Sequence, residues 1–93
     1  MKKFVLRASV KSENMVAIRH LLKDLVPDVI IKIADDEFVL YAELEGDNSR
    51  DLNRVILSGL RKVVKKTRIK SEWTCDGVVE QYFDYGLRKT WKE

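Results

Sequence analysis

Arg50, Arg54, Arg61 and Lys65 recur at spacings that place them on one outward line of an amphipathic helix, with Lys62 beside them. A row of fixed positive charge can follow a phosphate backbone, because each phosphate it neutralises releases counterions. The run Lys65-Lys66-Thr67-Arg68-Ile69-Lys70 carries the same charge around the end of that helix. The candidate nucleic-acid-binding set is therefore Arg50, Arg54, Arg61, Lys62, Lys65, Lys66, Arg68 and Lys70. The plainer account is that every amphipathic helix needs a solvated face, and Lys and Arg are good helix formers.

Other reactive side chains are sparse. A histidine invites a catalytic reading because its ordinary pKa lies near neutrality, but His20 sits among Arg19, Lys23 and Asp24 with no nucleophile nearby, which suits a surface histidine. Cys75 is the single cysteine, so no internal disulfide forms, and no second Cys or clustered His completes a zinc or iron–sulfur site. It ends the inward row of a strand, where a structural thiol is the simpler reading. Asp35, Asp36 and Glu37 lack the alternation and glycine of a calcium loop, so a solvated turn is expected. No catalytic residue, metal or cofactor is expected, and the chain is read as a non-enzyme. Ile30, Lys32, Phe83 and Trp91 are the candidate interface residues: the first two lie on an edge strand, and the last two belong to an aromatic tail.

These residues must be positioned by a small domain. Ninety-three residues suffice for one core. With 45% hydrophobic and 35% charged residues the chain reads as globular rather than disordered. A net charge of +3 permits an anionic partner without demanding one. Arg7 interrupts the first apolar run, and no stretch approaches the roughly 18 apolar residues of a membrane span. A cytoplasmic protein with no membrane partner is expected.

Phe4, Leu6, Ala8 and Val10 alternate with polar positions and predict a first strand. Ser12 is expected to cap the helix that follows, with Glu13 in its first turn, a buried stripe at Met15, Ile18, Leu21, Leu22 and Leu25, and Pro27 as its stop. Val29, Ile31 and Ile33 predict a second strand, turned by Asp35-Asp36-Glu37 into a third with the row Phe38, Leu40, Ala42 and Leu44. A second helix from Asn48 to Lys66 buries Leu52, Val55, Ile56, Gly59, Leu60 and Val63, with a close backbone approach expected at Gly59. Ile69, Ser71, Trp73 and Cys75 form the inward row of a fourth strand.

This order predicts an α+β fold, a ferredoxin-like βαββαβ plait with a four-stranded antiparallel sheet and both helices on one face. Residues 1–93 are read as a single domain, with residues 76–93 as an extension docked on it. That extension is ambiguous. Asp76-Gly77 is a hairpin signal, and Val79, Phe83 and Tyr85 could line one side of a fifth strand, whereas Val79, Phe83, Leu87 and Trp91 fit an amphipathic helix capped by Asp76 about as well. The open side of the sheet should show Val5, Arg7, Ser9, Lys32, Val39, Tyr41, Glu43, Arg68, Lys70 and Glu72. Basic groups around Tyr41 could hold a nucleotide, but the first strand offers no ring to stack on a base and no RNP-type aromatic motif is present.

The element order, and the spacing of Leu52, Ser58, Leu60 and Arg61, resemble the small dimeric subunit of the KEOPS tRNA-modification complex over the middle of the chain. The sequence from Thr67 onward departs from that family's shorter pattern, and no function or site is carried over. The leading expectation is an RNA-binding or ribonucleoprotein-associated domain acting through the basic helix face. The alternative is a protein-interaction module, a homodimer or a complex with another protein, using the edge strand or the aromatic tail.

Overall fold

The computed structural model describes all residues from Met1 to Glu93. The chain is α+β, and a single antiparallel sheet runs through it. Its elements are β1 (Lys2–Lys11), α1 (Met15–Leu25), β2 (Ile30–Ala34), β3 (Glu37–Gly46), α2 (Ser49–Val63), β4 (Arg68–Cys75), β5 (Val78–Phe83) and β6 (Gly86–Lys92). The sheet order is β2-β3-β1-β4-β5-β6. The expected four-stranded ferredoxin-like plait is thus corrected to a six-stranded antiparallel sheet with two helices.

The extra strands have a local cause. Asp76 and Gly77 both take positive φ, 52° and 77°, which closes a two-residue hairpin whose twist matches the strands it joins. Asp84, with φ of 54°, turns β5 into β6 through a second tight turn, in which it alone takes positive φ. The tail from Val78 to Lys92 is therefore neither the helix nor the single strand allowed by its pattern. It continues the sheet past the edge that β4 would otherwise expose.

Phe4, Leu6, Ala8 and Val10 of β1 face the helices and join Ile18 and Leu22 of α1, Phe38 and Leu40 of β3, Ile56, Leu57 and Leu60 of α2, and Trp73 of β4 in one core. Phe4 meets Trp73 edge to face, with centroids 6.3 Å apart. Gly59 of α2 lies against α1, where an added Cβ would stand 3.0 Å from Leu25 Cδ1. The close approach expected there is between the two helices.

Several local expectations are revised. Asn14, not Ser12, caps α1: its Oδ1 accepts from the Ala17 N–H at 3.1 Å, while Ser12 Oγ bonds Thr67 Oγ1 at 3.0 Å. Glu13 lies outside the helix. α2 ends at Val63, so Lys65 and Lys66 belong to the turn beyond it. Val55 and Val63 are exposed, and Leu57 joins the buried core in their place.

Candidate nucleic-acid interface

The sheet face turned away from the helices is built in rungs. β-pairing aligns Tyr41, Arg7, Glu72, Gln81 and Lys89 across five strands. The neighbouring rung holds Lys32, Val39, Ser9, Lys70 and Phe83. A third holds Glu43, Val5, Thr74, Val79 and Trp91. Cross-strand partners share a face, so all these side chains project to the same side.

Three aromatic rings stand on this face, each with one or two cations over it. Arg7 and Lys32 lie 5.6 and 5.8 Å from the Tyr41 centroid. Arg68 and Lys70 lie 5.0 and 5.5 Å from that of Phe83, and Lys89 lies 5.4 Å from that of Trp91. Such distances are those of cation–π contacts. Between Tyr41 and Phe83 is a depression of about 210 Å3 lined by Arg7, Ser9, Val39, Lys70, Glu72 and Gln81. It offers a guanidinium, an ammonium, a hydroxyl and an amide as donors, with one carboxylate as acceptor. Arg7, Lys32, Lys70 and Lys89 have no carboxylate within 4 Å.

The eight candidate cations do not form one surface. Arg50, Arg54, Lys62 and Lys65 are exposed and free of ion pairs on the helix side. Lys66 reaches Glu13 at 3.7 Å. Arg61 is a clamp rather than a free charge: its Nε donates to the Thr67 carbonyl at 3.0 Å, its Nη2 meets Asp84 Oδ1 at 3.3 Å, and its guanidinium lies 5.1 Å from the Tyr85 centroid. Arg68 and Lys70 belong to the opposite, open face, where Arg68 Nε bonds Asp84 Oδ2 at 2.7 Å. The four interface candidates, Ile30, Lys32, Phe83 and Trp91, also project from the open face, but Ile30 and Lys32 lie on the β2 edge and Trp91 on the β6 edge.

Asp84 is the junction that sequence reasoning missed. Its carboxylate holds Arg61 and Arg68 and accepts the Ile69 N–H at 3.1 Å, and its own N–H donates to the Ile69 carbonyl at 2.8 Å. Asn53 donates from Nδ2 to the Asp84 carbonyl at 2.7 Å and accepts at Oδ1 from Ser71 Oγ at 2.7 Å. Ser71 in turn accepts from Trp73 Nε1 at 3.1 Å. One signal was available: Ser49, Asn53, Ile56 and Leu60 share helical spacing, so a polar residue at 53 interrupts a buried stripe.

The remaining candidates lie apart. His20 is exposed on α1 and lines a cleft of about 530 Å3 together with Met15, Ile33 and Phe38. Asp36 meets Lys11 at 3.4 Å in the β2–β3 turn. Half-burial, the neighbouring Asp76 charge and an Sγ–H bond to Asp76 Oδ2 push the Cys75 thiol above its ordinary pKa, so it is held protonated. No helix is long and apolar enough to cross a membrane. No protein-family model, curated protein or solved structure matches the chain.

Proposed function

We propose that this chain is a non-catalytic nucleic-acid-binding module, with RNA as its ligand and the open face of the sheet as its contact surface. The observation that carries the reading is the grouping of Arg7, Lys32, Lys70 and Lys89, all without carboxylate partners, around Tyr41, Phe83 and Trp91 on one uncovered face. Cations supply sequence-tolerant affinity through phosphates, and rings supply a surface on which bases stack. The sheet is preferred to the α2 stripe because its unpaired cations lie over aromatic rings, whereas Arg50, Arg54, Lys62 and Lys65 have no ring beside them and Arg61 is engaged by Asp84 and Thr67.

Titration of a fluorescein-labelled RNA at several salt concentrations tests the reading. Each phosphate contact contributes about −0.7 to the slope of log K against log salt for a single strand. Lys70→Gln should make that slope shallower by about that amount while leaving stability within about 0.5 kcal/mol. Binding that shows no salt slope, or is indifferent to Lys70, Arg7 and Lys89, removes the proposal.

A second reading, self-association, is favoured by the β2 edge. This strand pairs only with β3 and leaves Ile30 58% and Ile33 71% exposed. A single-chain mass by light scattering at high concentration excludes it.

A further inference from the structure

We infer that the ligand of the open face is single-stranded, with two non-adjacent bases stacked on Tyr41 and Phe83 and the backbone between them crossing the Arg7–Ser9–Lys70–Gln81 depression. This rests on the nucleic-acid reading above and narrows it to a strand state and a path.

The geometry of the rungs carries the inference. Tyr41 on β3 and Phe83 on β5 are separated by β1 and β4, hence by three strand spacings of about 4.8 Å, or roughly 14 Å across the sheet. That span is about four times the ~3.4 Å rise of stacked bases, so the two rings take bases that are not neighbours. Those in between splay over the depression. Its lining offers Arg7 and Lys70 to phosphate oxygens, and Ser9, Gln81 and Glu72 to ribose hydroxyls or base edges.

Both rings are reachable. Phe83 is 36% exposed and Tyr41 is half-buried. Arg7 and Lys32 lie over the Tyr41 ring and Lys70 over that of Phe83, so a stacking base takes the place of a cation, which moves to the phosphate of that base. A duplex cannot use them, because the faces of its bases are already occupied by their neighbours in the helix. Nor would a purely electrostatic surface need them, since phosphate contacts require only charge. Trp91 lies further along the face, where the register sets it beside the buried Val79, and it is not required by this path.

The test compares a short fluorescein-labelled oligouridylate with a hairpin RNA duplex, using the whole chain and the variants Tyr41→Leu, Phe83→Leu and Tyr41→Trp. Leucine keeps an apolar side chain on the strand while removing the ring, and far-UV circular dichroism verifies folding. The single strand should bind at least tenfold tighter than the duplex. Each leucine variant should lose between about fivefold and a hundredfold in affinity, the range of one lost base stack, with an unchanged salt slope. Tyr41→Trp should restore or strengthen binding.

Equal affinity for duplex and single strand overturns the inference. So do leucine variants that bind like the parent while Lys70→Gln is weakened, although that pattern leaves the nucleic-acid reading standing. Absence of salt-dependent binding to either RNA overturns both.

Discussion

The two faces of the sheet use polar side chains in opposite ways. On the helix side, polar groups are consumed by one another. Tyr82 donates to Ser49 at 2.8 Å, Ser49 to Glu80 at 2.7 Å, and Asn53 links Ser71 to the Asp84 turn. No buried side-chain nitrogen or oxygen lacks a partner there. On the open side, four cations stand beside rings with no carboxylate to neutralise them. Satisfied polar groups fix a structure, whereas unsatisfied charge in water is available to a ligand. Charge count alone would have pointed to α2. Arg50, Arg54, Lys62 and Lys65 on the helix side lack a carboxylate partner just as Arg7, Lys32, Lys70 and Lys89 do, and of these only the four of the open face lie over aromatic rings.

That contrast can be broken most forcefully from the closed side. Asn53→Ala removes a partner from Ser71, from Trp73 and from the Asp84 carbonyl, all in or near the core. A loss of about 2 to 4 kcal/mol in chemical denaturation is expected, at the cost of roughly 1 to 3 kcal/mol for each buried group left unpaired with partial relaxation. RNA affinity of the folded fraction should be unchanged. A loss below about 0.5 kcal/mol would mean that water replaces the amide and that the closed side is less dry than its burial implies.

Asp84→Asn sits between the two faces and separates their roles. Asparagine tolerates the left-handed backbone of the turn, so the hairpin survives, while Arg61 and Arg68 lose their carboxylate. Stability should fall by about 1 kcal/mol, discounted because Arg68 is more than half exposed. RNA binding should tighten and its salt slope steepen, since Arg68 projects from the open face. Unchanged affinity would place Arg68 outside the contact surface.

The smallest effect concerns Cys75. Its thiol titrates above the ordinary value in the folded chain, so the native state retains a proton that the unfolded state releases first. The associated stability is present below the unfolded pKa and is lost as pH rises through the folded one. Iodoacetamide labelling should consequently be slow near neutrality and faster at the same pH in Asp76→Asn, which removes the neighbouring carboxylate and its hydrogen bond. Equal rates would assign the protection to burial alone.

How much of this could be read from the residues depended on whether local periodicity decided the outcome. β1, β3 and β4 were legible because their apolar residues alternate against one buried face, and α1 because Ile18 and Leu22 sit at helical spacing. The tail was not. Val79, Phe83, Leu87 and Trp91 also have helical spacing, and a register shift at Gln81/Tyr82 together with the Asp84 turn places Leu87 on the face opposite the other three. The aromatic platforms at Phe83 and Trp91 were hidden by the same ambiguity. They join the open face only once β5 and β6 extend it. Asn53 shows in the sequence only as a polar break in a buried stripe, and what it and Asp84 bind was illegible for a different reason: their partners are distant along the chain.

The placement of β1 has a consequence for how the molecule comes together. This strand occupies an interior position but draws both of its neighbours, β3 and β4, from later in the sequence. Until Glu37–Gly46 has been made it has nothing to pair with, and until Arg68–Cys75 follows one of its sides stays bare. The β4–β5–β6 meander closes through two tight turns, whereas β1 must bridge long stretches of chain twice, so the slow step of assembly belongs to the earliest strand.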